Sequence, residues 1–236
     1  MRFITRNAAA FVLFGFAAHF SLSSITRVQA QAAIESSPPL VTPSPQPPSP
    51  VPPAWTAFGH AWTNISAYSA TVTVFERKGT QVQNSVFDYT FRKPSSATVH
   101  YNKGPNAGVT VVWTGGSSVV AHRGSGLMAL FKKTFAIHDP AVTTIRGSSV
   151  DQLSFAAILA HAQDTAGPIT EASGPSIDGV PTEAVTLIPS SSATDMGLTR
   201  EIVDISTTSS LPVRVLGYEG ETLVRQVDFS NFRLER

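Results

Sequence analysis

The side chains of this chain that could carry chemistry are histidines, serines and carboxylates, because it contains no cysteine. That absence removes disulfide scaffolds, thiolate zinc sites, iron–sulfur clusters and cysteine nucleophiles together. Beyond His19 the histidines are His60, His100, His122, His138 and His161, and none forms an H-x-x-x-H or H-E-x-x-H pair. Only His138 has an acidic neighbour, Asp139, so the spacing gives zinc or iron no ligand set. Serine is abundant, yet no G-x-S-x-G elbow occurs, and the G-S-G run at 124–126 reads as a turn. No P-loop or strict G-x-G-x-x-G is present; the looser form at 124–129 lacks a βαβ context. A Ser-His-Asp triad built from distant positions would leave no mark in sequence. The reading is therefore of a protein that binds, with no catalytic residue, metal or cofactor assigned.

Charge narrows what it binds. Lys+Arg number 17 against 16 Asp+Glu, and charged residues are 14% of the chain, where about 25% is usual. A balance of +1 offers no clustered basic face for nucleic acid. With 42% hydrophobic residues and so little charge, an apolar ligand is the class to look for.

The N-terminus reads as an address. Arg2 and Arg6 precede an apolar run at 8–20, and V-Q-A at 28–30 fits the small-x-small rule of signal peptidase. The run is shorter than the roughly 20 residues a membrane span needs. Residues 1–32 are accordingly expected to be a Sec-type signal peptide cut after Ala30 or Ala32, delivering a periplasmic product without an integral membrane segment. Removing them takes Arg2, Arg6 and Arg27 and no acid, so the slight basic excess belongs to the signal. Residues 33–53 hold Pro38, Pro39, Pro43, Pro45, Pro47, Pro48, Pro50, Pro52 and Pro53. Each fixes its own φ and biases its predecessor away from helix, so this is an extended, disordered leader.

Residues 54–236 are long enough for one well-buried core. Trp55, Phe58, Trp62 and Ile65 recur at helical spacing and predict an amphipathic helix over 54–68. Period-two alternation follows: Ala70, Val72, Val74; Phe87, Tyr89, Phe91; Ala97, Val99, Tyr101; Val109, Val111, Trp113; Val119, Ala121. Turn chemistry at Gly79, Pro94, Gly104 and Gly115 separates these runs into an antiparallel meander with one apolar face. The pattern returns over 198–205, 211–218 and 222–234. In the last, parity shifts from Val227 and Phe229 to Phe232 and Leu234, which predicts a bulge near Ser230 and Asn231. Between the two blocks, residues 150–163 are apolar nearly all round, with Leu153, Phe155, Ile158 and Leu159. A helix without a polar face is either buried on both sides or covers an apolar cavity.

The order helix, long strand, F-R-K-P at 91–94, strand, turn, strand resembles the LolA-like family of periplasmic lipoprotein carrier and sorting proteins. The resemblance is carried by Y-S-A-T-V at 68–72, the F-R-K-P run, His100 and Tyr101, the run V-V-W-T-G-G-S-S-V at 111–119, and the closing L-P-V at 211–213 with V-D-F-S-N-F at 227–232. It implies an α+β fold: a curved, half-open antiparallel β-barrel with covering helices, whose cavity holds acyl chains, and a lid to which 150–163 would belong. It also implies a lid contact by a basic residue before the proline. Lys93 occupies that place and Arg92 precedes it; alternation puts Lys93 on the Phe91 face and Arg92 on the other.

The expected function is non-covalent binding of a lipid or lipoprotein acyl chain, as a carrier in transport or as a sensor. The ligand-binding candidates are Val72, Val74, Phe87, Tyr89, Phe91, Val99, Tyr101, Val111 and Trp113 from the strands, and Leu153, Phe155, Ile158 and Leu159 from the helix. The alternative is a structural or protein-interaction module of the cell envelope, with a solid core, an envelope protein as its partner and no lipid.

Overall fold

The computed structural model of the protein describes residues 51–124, 130–192 and 196–236. The expected signal peptide, the leader up to residue 50 and most of the 124–129 turn lie outside the described residues.

Helix α1 (Pro53–Thr63) begins on a proline, whose missing N–H costs nothing in the first turn. It buries Trp55 and Phe58. The helix stops short of the expected residue 68, and the reason is sheet pairing. The Ser66 N–H donates to the Glu235 carbonyl, and the Ser66 carbonyl accepts from the Lys93 N–H. Ala67 then pairs with both Glu235 and Arg92 as the first residue of a central strand. Ile65 is buried just past the helix end, and Tyr68 belongs to the sheet.

Eleven strands follow: β1 (Ala67–Lys78), β2 (Gln81–Arg92), β3 (Ser96–Lys103), β4 (Val109–Trp113), β5 (Ser118–Arg123), β6 (Lys133–Ala136), β7 (Thr170–Ser173), β8 (Thr182–Leu187), β9 (Arg200–Ser206), β10 (Pro212–Glu219) and β11 (Thr222–Glu235). They form one sheet in the order β6-β5-β4-β3-β2-β1-β11-β10-β9-β8-β7. All neighbours are antiparallel, so two meanders meet where β1 pairs with β11. Gly79, at φ 58, makes the tight β1–β2 connection that a residue with a Cβ would strain.

The sheet is open, with β6 and β7 as edges, but it is not flat. The N–H of Ala54 in α1 donates to Glu171 on β7, while the other end of α1 is held by Lys93 just beyond β2. Laid flat, those strands would stand about 29 Å apart at roughly 4.8 Å per step. The helix is only about 16 Å long. The sheet therefore curves round its helices, as the curved, half-open arrangement implied by the resemblance requires.

The segment 150–163 differs from its expectation as one continuous helix. A 3₁₀ turn (Asp151–Leu153) is followed by α2 (Phe155–His161). Ser154 breaks the run because it takes an extended conformation and its Oγ accepts from Ala157 N, capping α2. Strands β6, β7 and β8 were not foreseen. The first two are short and mostly exposed, so no burial pattern marked them.

The expected bulge is present. Ser69 pairs with Arg233 and Thr71 with Ser230, leaving one extra residue on β11, and Asn231 takes φ 54. Asn tolerates this left-handed backbone better than most residues. Replacing it with Val should cost roughly 1–2 kcal/mol, whereas Gly should be close to neutral. Urea denaturation of Asn231→Val and Asn231→Gly checks this; equal losses would mean that the backbone at the bulge is not the constraint.

Candidate functional site

Alternation sends one face of each strand to the interior, where the helices lie. Val72, Val74, Phe87, Tyr89, Phe91, Val99, Tyr101 and Val111 are all buried there, with Leu153, Phe155 and Ile158 from the covering segment. Trp113 and Leu159 are partly buried against the same core. Trp113 also donates its indole N–H to the Gly116 carbonyl at 2.9 Å.

Phe155 is the plug of this interior. It is fully buried, stacks on Tyr68 with ring centres 4.3 Å apart, and meets Phe58, Trp62, Phe229 and Phe232. Burial pushes the phenols of Tyr68 and Tyr89 well above their ordinary range. Neutral Tyr89 donates to the Val150 carbonyl at 3.2 Å, which ties the start of the covering segment to β2.

What space remains is small. A cavity of about 20 Å³ adjoins Val74, Phe87, Val99, Tyr101, Val111 and Leu153. One of about 10 Å³ touches Leu153 and Ile158. Each is room for about one water, whereas sites for small molecules run to roughly 300–1,000 Å³. Val72, Tyr89, Phe91, Trp113, Phe155 and Leu159 border neither of these cavities. The interior is filled by the protein's own side chains.

Across this apolar face runs a row of polar residues that the sequence reading missed. Gln83 on β2 pairs with Glu76 on β1, Glu76 with Arg225 on β11, Arg225 with Gly217 on β10, and Gly217 with Glu201 on β9. Residues directly opposite one another share a face, so all point inward; Glu76 is 0%, Glu201 1% and Arg225 3% exposed. Gly217 leaves the gap that lets Arg225 face Glu201. A Cβ there would come within 2.8 Å of Leu198 and 3.2 Å of Arg225. Arg225 lies 3.9 Å from the nearest oxygen of each glutamate. Arg225 shares the parity of Val227 and Phe229, and the register shift between Gly217 and Tyr218 falls just before it on β11.

The row fastens the covering segment. Gln83 Oε1 accepts from the Ile145 N–H at 2.9 Å. Glu76 accepts from the Arg146 N–H at 3.2 Å and from Ser148 Oγ at 2.7 Å. Glu201 Oε1 meets His161 Nδ1, at the end of α2, at 2.7 Å. Arg146 itself reaches across to the Arg77 carbonyl at 2.6 Å, the Met196 carbonyl and Glu219 Oε1. One strip of the sheet thus holds both ends of the loop and helix that cover it.

The two basic residues before the proline separate as parity requires. Lys93 donates to the Trp62 carbonyl at 2.6 Å and sits 4.1 Å over the Trp62 ring. It therefore caps α1. A cation at a helix C-terminus is favourable, and desolvation lowers its pKa below the ordinary lysine value. Arg92, on the other face, pairs with Glu235 at 3.0 Å, both side chains exposed. Among the described residues no cluster of three or more His, Asp or Glu side chains could hold a metal ion, and no helix is long and apolar enough to cross a membrane.

No protein-family model and no curated protein matches the chain. Among solved structures it is similar to a putative outer membrane lipoprotein-sorting protein domain from Vibrio parahaemolyticus, at 11% identity and a TM-score of 0.42 over 77% of this chain and 92% of that one. It is also similar to a LolA superfamily protein from Nitrosomonas europaea, at 9% identity and a TM-score of 0.37 over 78% and 94%. LprF from Mycobacterium bovis matches at 15% identity and a TM-score of 0.42, again over 78% and 94%. The likeness is one of chain path alone.

Burial alone would push the Glu201 carboxyl up, but the charge and hydrogen bond of His161, with Arg225, bring it below the ordinary 4.5. An acid lowered on folding contributes stability that is present above its unfolded pKa and lost as pH falls through the folded one. Asp204 and Asp228, raised by burial, act in the opposite sense. Glu201→Gln should therefore narrow the stability gap to the parent as pH drops below 4.5. Urea midpoints at pH steps check it; a gap that widens on acidification would contradict the pairing.

Proposed function

We propose that this protein binds a lipid or lipoprotein acyl chain non-covalently, in the space that Phe155 and Ile158 now fill, and serves the cell envelope as a carrier or sensor. The role is binding rather than catalysis. The observation that carries the reading is the way the interior is covered. The apolar face of a long open sheet is closed by a loop, a 3₁₀ turn and one short helix, fastened along a single polar row. The export signal read over 1–32 supports an envelope location.

Magnitudes decide whether such a cover can move. A palmitoyl chain gains roughly 12 kcal/mol at about 0.8 kcal/mol per buried methylene. Exposing Phe155 and Ile158 costs about 3–6 kcal/mol, and releasing the bonds at Gln83, Glu76, Tyr89 and Glu201 costs roughly 5 kcal/mol more. The two sides nearly balance, so long chains open the cover and short ones do not.

A second reading has its own support: cavities of about 20 Å³ and 10 Å³ are what a solid-core interaction module would show. Fluorescent acyl-probe titration over a series of chain lengths separates the two. The acyl-chain reading expects affinity to rise about fourfold per added methylene. It also expects Phe155→Ala, which removes the plug, to bind faster even as the fold loses about 3–5 kcal/mol. No uptake at any chain length, in parent and variant alike, would leave the solid-core module.

A further inference from the structure

We infer that the polar row reads the head of the bound amphiphile, and that it selects a neutral, hydroxyl-bearing head such as that of a mono- or diacylglycerol over a carboxylate or phosphate. This rests on the acyl-chain reading and adds what the other end of the ligand must be.

Charge balance is the first argument. The row and its fasteners set Arg225, Arg146 and His161 against the buried Glu76 and Glu201 and against Glu219, which is half-exposed and paired with Arg146. With His161 protonated the set is neutral; with His161 neutral it is short of one positive charge. In neither state is a cation left over to compensate a buried anionic head, and an uncompensated buried charge is strongly disfavoured. The glutamates flanking Arg225 would face an incoming carboxylate directly.

Hydrogen bonding is the second. Arg225 Nε is buried with no acceptor, and Glu201 Oε2 is buried with no donor. Arg225 Nε stands 3.9 Å from Glu76 Oε1, and Nη1 stands 3.9 Å from Glu201 Oε2. These gaps exceed the roughly 3.2 Å of a direct bond. A group that both donates and accepts can bridge them, and a hydroxyl is such a group. Arg225 and Glu76 both border the 20 Å³ cavity, and Arg225 also borders the 10 Å³ one, so the bridging position between these two lies where the apolar interior would deliver a ligand's head. The cavity wall also includes Ser148, Ser149 and Thr144, together with Val99, Val111 and Tyr101. A space of about 20 Å³ suits one water-sized group. In the complex a ligand hydroxyl takes that position.

The test is competition for a fluorescent acyl probe on the purified protein at mildly alkaline pH, with monopalmitin, palmitate and palmitoyl lysophosphatidic acid as competitors. Monopalmitin is expected to bind at least about tenfold more tightly than either anion. Glu76→Gln removes one of the two carboxylates that flank Arg225 and so lessens the repulsion an incoming anion meets there, which should shift the preference toward palmitate; should it fail to fold, Glu201→Gln makes the same change from the other side. Equal affinities, or a parent that prefers palmitate, would overturn the head selection and leave the acyl-chain reading standing. A glutamine variant that folds and keeps the parent's preference would show that the row does not read the head. No displacement by any competitor, together with no probe uptake, would overturn both.

Discussion

A sheet of eleven strands that curves without closing has an apolar face, and among the described residues no second sheet covers it. Everything else in this molecule answers that constraint. The face runs from Val119 on β5 to Val185 on β8, and it is too wide for two short helices to cover by their own apolar stripes. The long connection between β6 and β7 therefore has to be drawn inward, and a loop brought inward carries backbone groups that need partners. Gln83 and Glu76 supply them from the sheet itself, while Glu201 holds the His161 ring at the end of α2. The polar row is thus the means by which an irregular segment is allowed to cover an apolar surface.

The same arrangement sets how firmly the cover is held. Phe155 contributes the aromatic contacts, and the row contributes orientation. Buried charge pairs are weak evidence for stability, because desolvation offsets much of their attraction. Arg225 at 3.9 Å from both glutamates is a loose centre to the row. A tight hydrophobic substitute would have sealed the interior more strongly. Retaining charges there fits a cover that is specified in position without being fixed in place.

Much of this was legible in the chain. The period-two runs identified the inward residues of β1 to β5, and the parity change after Phe229 located the bulge at Asn231. The row was equally legible by the same counting. Glu76 continues Ala70, Val72 and Val74, and Glu201 precedes Val203 and Ile205 at interior spacing. Both were passed over because the apolar runs were read as ending at the first charge. Arg225 likewise precedes Val227 and Phe229 at interior spacing. The helix ends were misjudged for a local reason and a distant one. Ser154 capping is a sequence signal, but the end of α1 is set by Ser66 pairing with residues far along the chain. How far the interior is filled depends on side-chain packing, which alternation does not encode.

The central claim is that an acyl chain enters by displacing the covering segment from an intact sheet. Hydrogen exchange read by mass spectrometry, with and without a long-chain lipid, tests it most directly. The account predicts faster exchange over 142–163 in the lipid-bound protein, with β1, β2, β3 and β11 as protected as before. Unchanged exchange across 142–163 under saturating lipid, or loss of protection spread through the whole sheet, would contradict it.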